Sequence, residues 1–238
     1  MKMTRILVLA FTVVFSVGVC SCSKDSDDND ATATNNGGLG DVSLTWVDLR
    51  LPSGLLWASC NVGAESPEDC GDYFAWGDTA AKGDYSWATY RYGAAENLLT
   101  KYCFDASYGL NGFTDDLTTL QAMDDAATVQ CGGGARMPTI VEWEELFNNT
   151  TSTWTSRNGV FGRLLTNDLG RSIFLPAAGY RTNGDTIQNG EVGCYWTSSL
   201  YTGNPGSAWS AGIDATDMYY SSRSRENGYS VRAVRSAQ

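Results

Sequence analysis

The residues best equipped for chemistry lie in the C-terminal quarter of the chain. Residues 193–235 read GCYWTSSLYTGNPGSAWSAGIDATDMYYSSRSRENGYSVRAVR and crowd together Tyr219, Tyr220, Ser221, Ser222, Arg223, Ser224 and Asn227. Tyr and Arg supply broad contact area, while Ser and Asn supply adaptable hydrogen bonding, a mixture used for recognition. An ordinary polar loop lying over a sheet has the same composition. Arg223, Arg225, Arg232 and Arg235 form a local basic cluster, most simply read as solvated edge residues. The chain contains no histidine. That removes Ser-His-Asp and Cys-His catalysis together with every His-ligated metal site. A catalytic carboxylate pair could be sought in Glu142, Glu144 and Glu145, but these also suit a helix cap and its solvent face.

The elements that must hold this run are strands. Segments 194–201, 208–214 and 229–235 carry strand-forming residues, and segments 202–207 and 215–228 between them are rich in turn formers. Upstream, 42–49 alternates as a strand, an apolar strand follows the turn at 51–54, and 72–77 is a short aromatic segment. Segment 79–113 is irregular, with Trp87, Tyr90, Tyr92, Tyr102 and Tyr108 spaced to pin long loops to a core. One or two helical turns fit within 117–129, before Gly132, Gly133 and Gly134. The strongest helix signal is 138–147: Thr139 is an N-cap, Glu142 closes a capping box, and Trp143, Leu146 and Phe147 share a face. A hairpin or loop around Trp154 and a buried strand over 172–180 complete the series.

With 238 residues the chain can bury a large core, and its 8 Trp, 12 Tyr and 26 Gly favour short strands and tight turns. A net charge of −11 argues against nucleic-acid partners and against nonspecific binding to anionic membranes. Residues 1–21 have the form of an export signal: Lys2 and Arg5, then an apolar run too short for a comfortable span. The signal ends at Val19-Cys20-Ser21-Cys22, which resembles a bacterial lipoprotein cleavage box and would leave Cys22 as the lipidated N-terminus. A simple secretory signal with a stray cysteine is the alternative. Residues 22–41 are polar and acidic, a flexible tether. Its acidic start resembles the surface-export signal of Bacteroidetes lipoproteins, implying the outer face of the outer membrane. A single folded domain over 42–238 follows. Its cysteines are Cys60, Cys70, Cys103, Cys131 and Cys194, an odd number, with Cys60–Cys70 and Cys103–Cys131 as open pairings.

Several motifs together resemble one family. They are VDLRLPSGLLWASCNVGA (47–64), GDYFAWG (71–77), DDAAT (124–128), GGARMPT (133–139), FLPAAGYR (174–181) and GYSVRAVR (228–235). The resemblance is to the Fibrobacter succinogenes major paralogous domain and spans 46–235. It implies an α+β, C-type-lectin-like fold of short antiparallel strands, one or two helices and long irregular loops. It also implies kinship with the variable proteins of diversity-generating retroelements. Carried over by position, Tyr195, Trp196, Ser198, Arg225, Gly228, Ser230, Val231 and Arg232 are scaffold. Trp209, Asp214, Asp217, Tyr219, Tyr220, Ser222, Arg223 and Asn227 are the ligand-facing set. Arg50, Ala135 and Ala233 depart from the family pattern, with Arg50 standing where Gly is usual.

The expectation is a lipid-anchored surface protein that presents 201–228 to a protein or glycan, without cofactor or catalysis. A structural or accessory subunit of a surface assembly is the alternative. A formylglycine-generating type of enzyme shares the RMPT look but needs a C-terminal cysteine pair, and Cys194 is alone beyond Cys131. Calcium-dependent sugar binding would need paired carboxylate–amide motifs that this chain lacks.

Overall fold

The computed structural model describes residues 44–237. The signal at 1–21, the lipidation site Cys22 and the tether at 22–41 lie outside the described residues. In chain order the strands begin with β1 (Trp46–Asp48), β2 (Leu55–Ala58) and β3 (Tyr73–Phe74). Long loops with short 3₁₀ turns lead to α1 (Ala126–Cys131) and α2 (Ile140–Asn148). Then come β4 (Thr151–Arg157), β5 (Val160–Thr166), β6 (Ser172–Pro176), β7 (Tyr180–Thr182), β8 (Asp185–Ile187) and β9 (Val192–Leu200). Last are β10 (Ser207–Asp214), β11 (Met218–Ser224), β12 (Tyr229–Ser230) and β13 (Val234–Ser236). They pair into four sheets, β1-β2-β13, β11-β10-β9-β12-β3, β4-β5-β6 and β7-β8.

This corrects the α+β, C-type-lectin-like expectation. Thirteen strands against two α-helices of six and nine residues make the described chain β-rich. The helices stay short for local reasons. Gly132, Gly133 and Gly134 all take positive φ and stop α1. α2 starts where expected, with Thr139 Oγ1 accepting from the Glu142 amide and the Glu142 carboxylate accepting from the Thr139 amide. Arg136 then clamps the Glu142 carboxylate, donating from Nη1 and Nη2 at 2.7 and 2.5 Å.

The inner strands β9 and β10 of the five-stranded sheet are largely buried on both faces, and alternation along them sorts residues between two cores. Tyr195, Ala211 and Ile213 face one way, into a core with Trp57, Trp143, Leu146, Phe147 and Leu175. Cys194, Trp196, Ala208 and Tyr229 face the other, into a core with Trp76, Tyr85, Tyr90, Tyr102 and Leu99. Loop aromatics expected as pins do belong to this second core. Tyr90, Tyr92 and Tyr102 form edge-on pairs, and a carboxylate, Asp124, sits inside at 0% exposure. Asp124 accepts from the Tyr92 and Tyr102 hydroxyls and pairs with Lys101 Nζ at 2.5 Å.

Two arginines lie fully inside the protein. Arg225 donates to Tyr90 Oη and to the carbonyls of Lys101, Tyr102 and Pro205, and its guanidinium lies 4.9 Å from the Trp76 ring centroid. Arg232 donates to Asn61 Oδ1 and to the carbonyls of Ala58 and Phe174. A side chain with five fixed donors can thread several chain segments together where no helix or sheet supplies the bonds. These two are therefore interior ties, not solvated edge residues. The remaining positions carried over as scaffold, Tyr195, Trp196, Ser198, Gly228, Ser230 and Val231, are also buried.

Cys60, Cys103, Cys131 and Cys194 are thiols, so neither the Cys60–Cys70 nor the Cys103–Cys131 pairing forms. Arg50 adopts φ +53°, the left-handed region that Gly enters without strain. Asp48 holds it there, accepting from the Arg50 amide at 2.9 Å and pairing with its guanidinium at 2.8 Å.

Candidate functional site

Half of the region read as a loop over 215–228 is a strand. β10 and β11 form an antiparallel hairpin from Ser207↔Ser224 to Ile213↔Met218, closed by a turn at 214–217. The sequence holds the reason: Met218, Tyr219 and Tyr220 open the run with strand-forming side chains. Asp214 builds the turn by accepting from the Thr216 amide (2.7 Å), the Thr216 hydroxyl (2.6 Å) and the Asp217 amide (2.8 Å). These bonds hold the Asp214 carboxyl below the usual carboxylate range, the Thr216 hydroxyl contributing most. Asp217 accepts from the Met218 amide at 2.7 Å.

The hairpin therefore divides the expected ligand-facing set instead of gathering it on one surface. Trp209, Tyr220 and Ser222 belong to the side that faces α2. There Tyr220 stacks on Phe147 at 5.5 Å, and Trp209 meets Tyr201 edge-on at 5.0 Å. Tyr219 and Arg223 belong to the opposite side, with Ser221 between them. Tyr219 lies across Gly212, where a β-carbon would come within 2.3 Å of the ring. Gly212 thus leaves the space that lets a tyrosine lie flat at this edge. Arg223 is exposed, and Tyr219 is half-buried. Asp214 and Asp217 are turn formers at the tip. Asn227 stands apart in the turn after β11, its side chain donating to the Ser224 carbonyl at 3.2 Å.

The ligand-facing set omits three features of this region. Ser221 completes the row Tyr219–Ser221–Arg223, and the period of two in that row was the available signal. Arg163, from β5, donates to the Asp214 carbonyl at 2.8 Å and so props the hairpin tip; nothing local in the sequence marks that contact. Cys194 lies beneath the same side, where burial pushes its thiol up to about 12. A thiol so placed is protonated at neutral pH and a poor nucleophile.

A cavity of about 290 Å³ opens at the other end of this side, lined by Asp72, Tyr73, Lys82, Tyr85, Arg181 and Thr186 among others. Arg181 lies over the Tyr85 ring at 5.8 Å, and its Nε is buried without a hydrogen-bond partner. The Arg181–Gly228 bridge links this cavity to the end of the hairpin segment. Among the described residues no group of three His, Cys, Asp or Glu side chains is placed to hold a metal ion, and no helix is long and apolar enough to cross a membrane.

Comparison with known proteins returns nothing: no family model, no curated protein and no solved structure matches the chain.

Proposed function

We propose that the chain is a lipid-anchored cell-surface binding protein that grips a protein or glycan with the Tyr219–Ser221–Arg223 side of the β10–β11 hairpin. The N-terminal sequence supplies the anchor reading: the basic start, the apolar run, Ser21-Cys22 and the acidic tether. The observation that carries the binding reading is the row Tyr219–Ser221–Arg223 on a hairpin edge. A flat-lying phenol, a hydroxyl and an exposed guanidinium stand side by side, on a scaffold rigidified by two cores. Such a row offers stacking area and donors without any group poised to transform what it holds.

The test is binding of the full chain, purified in detergent, to panels of immobilised glycans and extracellular proteins. Joint replacement Tyr219→Ala, Arg223→Ala should abolish whatever binding is found, while Trp209→Ala, on the opposite side, should leave most of it. Equal loss from both would overturn the reading. A second reading, a subunit of a surface assembly, is favoured by one observation: β11 ends the five-stranded sheet, with no strand beyond it among the described residues.

A further inference from the structure

We propose that the open edge of β11 pairs with β11 of a second copy of this chain, antiparallel and centred on Ser221, joining two five-stranded sheets into one. The main-chain pattern fixes which groups are available. The Asp214 amide donates to the Asp217 carbonyl at 3.0 Å, so the pair that closes the hairpin is a hydrogen-bonded one. Alternation along an antiparallel ladder then turns the amides and carbonyls of Met218, Tyr220, Ser222 and Ser224 away from β10.

Two of those outward groups are already occupied by the flanking turns, while a third, the Ser222 carbonyl, accepts only from the Ser221 hydroxyl at 3.4 Å and keeps a second lone pair. The Met218 amide donates to Asp217 Oδ1 at 2.7 Å. The Ser224 carbonyl accepts from the Asn227 amide at 3.3 Å and from its side chain at 3.2 Å. Pairing centred on Ser221 places Tyr220 against Ser222 of the second copy, and Met218 against Ser224. In that register the occupied Met218 amide and the occupied Ser224 carbonyl face each other. Every other outward group finds a partner: Tyr220 and Ser222 exchange both of their bonds, and the Ser224 amide reaches the Met218 carbonyl. The two occupied groups would be left facing each other in this register alone, and that self-complementarity is what selects a second copy over an unrelated extended segment.

The side chains agree with this register. Tyr219 falls opposite Arg223 of the second copy, where a guanidinium can lie over a phenol ring. The diagonal neighbour of that Arg223 on the same side is Asp217, so each arginine meets an aromatic face and a carboxylate. β11 itself carries no acidic residue. Its two Arg223 side chains stand four residues out of line, roughly 13 Å apart, at or beyond the screening length of about 8–10 Å in physiological salt. Ser221 meets Ser221, and small Ser222 sits beside bulky Tyr220, so neither side of the joint is crowded. The proposal concerns the strand edge and does not depend on which ligand the side-chain row takes.

The experiment uses the full chain in detergent, with mass measured by light scattering coupled to gel filtration. The unmodified chain should run at twice its single-chain mass. Ser222→Pro removes one outward amide without touching a bond to β10, and should give single chains with an unchanged melting curve. Ser221→Cys places two thiols on the symmetry axis, at a close pair whose α-carbons stand about 4.5 Å apart, and should cross-link under mild oxidation. Thr216→Cys, at the hairpin tip, should cross-link no more than the unmodified chain. Single chains at every concentration would overturn the proposal, as would equal cross-linking at 216 and 221. The cross-linking result decides the matter if Ser222→Pro fails to fold.

Discussion

Arg225→Ala is the sharpest test of how this protein is held together. Arg225 is completely buried, with no carboxylate beside it, and its guanidinium serves four acceptors: Tyr90 Oη and the carbonyls of Lys101, Tyr102 and Pro205. Truncation leaves those acceptors in the second core, at about 1 kcal/mol each even at the low end of the range, or about 4 kcal/mol. The emptied volume and the lost contact with the Trp76 ring add to this. Relief from burying an unpaired charge subtracts from it. The expected net loss is about 3–5 kcal/mol, or roughly 10 °C in melting temperature for a chain of this size. Arg235 supplies the internal comparison. It belongs to the same terminal segment and stacks on Trp46 at 4.5 Å, but it is only half-buried. Arg235→Ala should cost about 1 kcal/mol or less. Urea titration of both variants is the assay. If the two cost the same, or if Arg225→Ala costs under about 1 kcal/mol, the reading of Arg225 as a central tie is wrong.

Further expectations concern individual contacts. Burial pushes the Glu142 carboxyl up, but the Arg136 clamp and the Thr139 amide outweigh it and hold the carboxyl below its ordinary value. A depressed folded-state value means its stabilisation is complete above the ordinary carboxylate range and is lost as pH falls through the folded value. Glu142→Gln should therefore cost about 1–2 kcal/mol at neutral pH, and the difference from the unmodified chain should vanish in acid melts. Asp124→Asn strips the charge from a buried carboxylate shared by Tyr92, Tyr102 and Lys101, and should cost about 3 kcal/mol by chemical denaturation. Gly71 has φ +68°, and a β-carbon there would stand 2.4 Å from the Val62 carbonyl. Gly71→Ala should lower the yield of folded protein sharply, whereas Arg50→Gly should raise stability by up to about 1 kcal/mol in thermal melts by relieving a left-handed backbone.

Local chemistry made parts of this architecture readable. Thr139 and Glu142 marked the start of α2 because a capping box is written within four residues. The Trp143–Leu146–Phe147 face followed from helical spacing. The loop aromatics were readable as pins because Tyr and Trp seldom remain in solvent when a core is within reach. Long-range pairing was not readable in the same way. The motif resemblance suggested an α+β fold, yet few stretches of this chain have helix-forming spacing, and the many short runs found strand partners far along the sequence. Segment 215–228 reads as a connection because Ser, Asp, Asn and Gly recur in it; the signal for β11 is the strand-forming Met218, Tyr219 and Tyr220 at its start. The resemblance puts Tyr219 and Tyr220 in one ligand-facing set, whereas neighbouring strand residues point to opposite sides, and Tyr220 stacks on Phe147. The interior role of Arg225 and Arg232 could be carried over from the motifs, but most of their acceptors, Tyr90, Lys101, Tyr102, Asn61 and Ala58, lie more than a hundred residues away.

β12 and β13 have a consequence for how the molecule is made. β12 slots beside β9 and β3 in the central sheet, and β13 pairs with β2 in the sheet that holds the first described strand. Residues 229–236 thus close both sheets, and Arg225 and Arg232 bring the last interior ties with them. A nascent chain stopped short of residue 229 lacks the pieces that make either half self-sufficient. Folding of these two sheets must therefore wait until the segment through residue 236 has been made, and the strands upstream stay unpaired until it arrives.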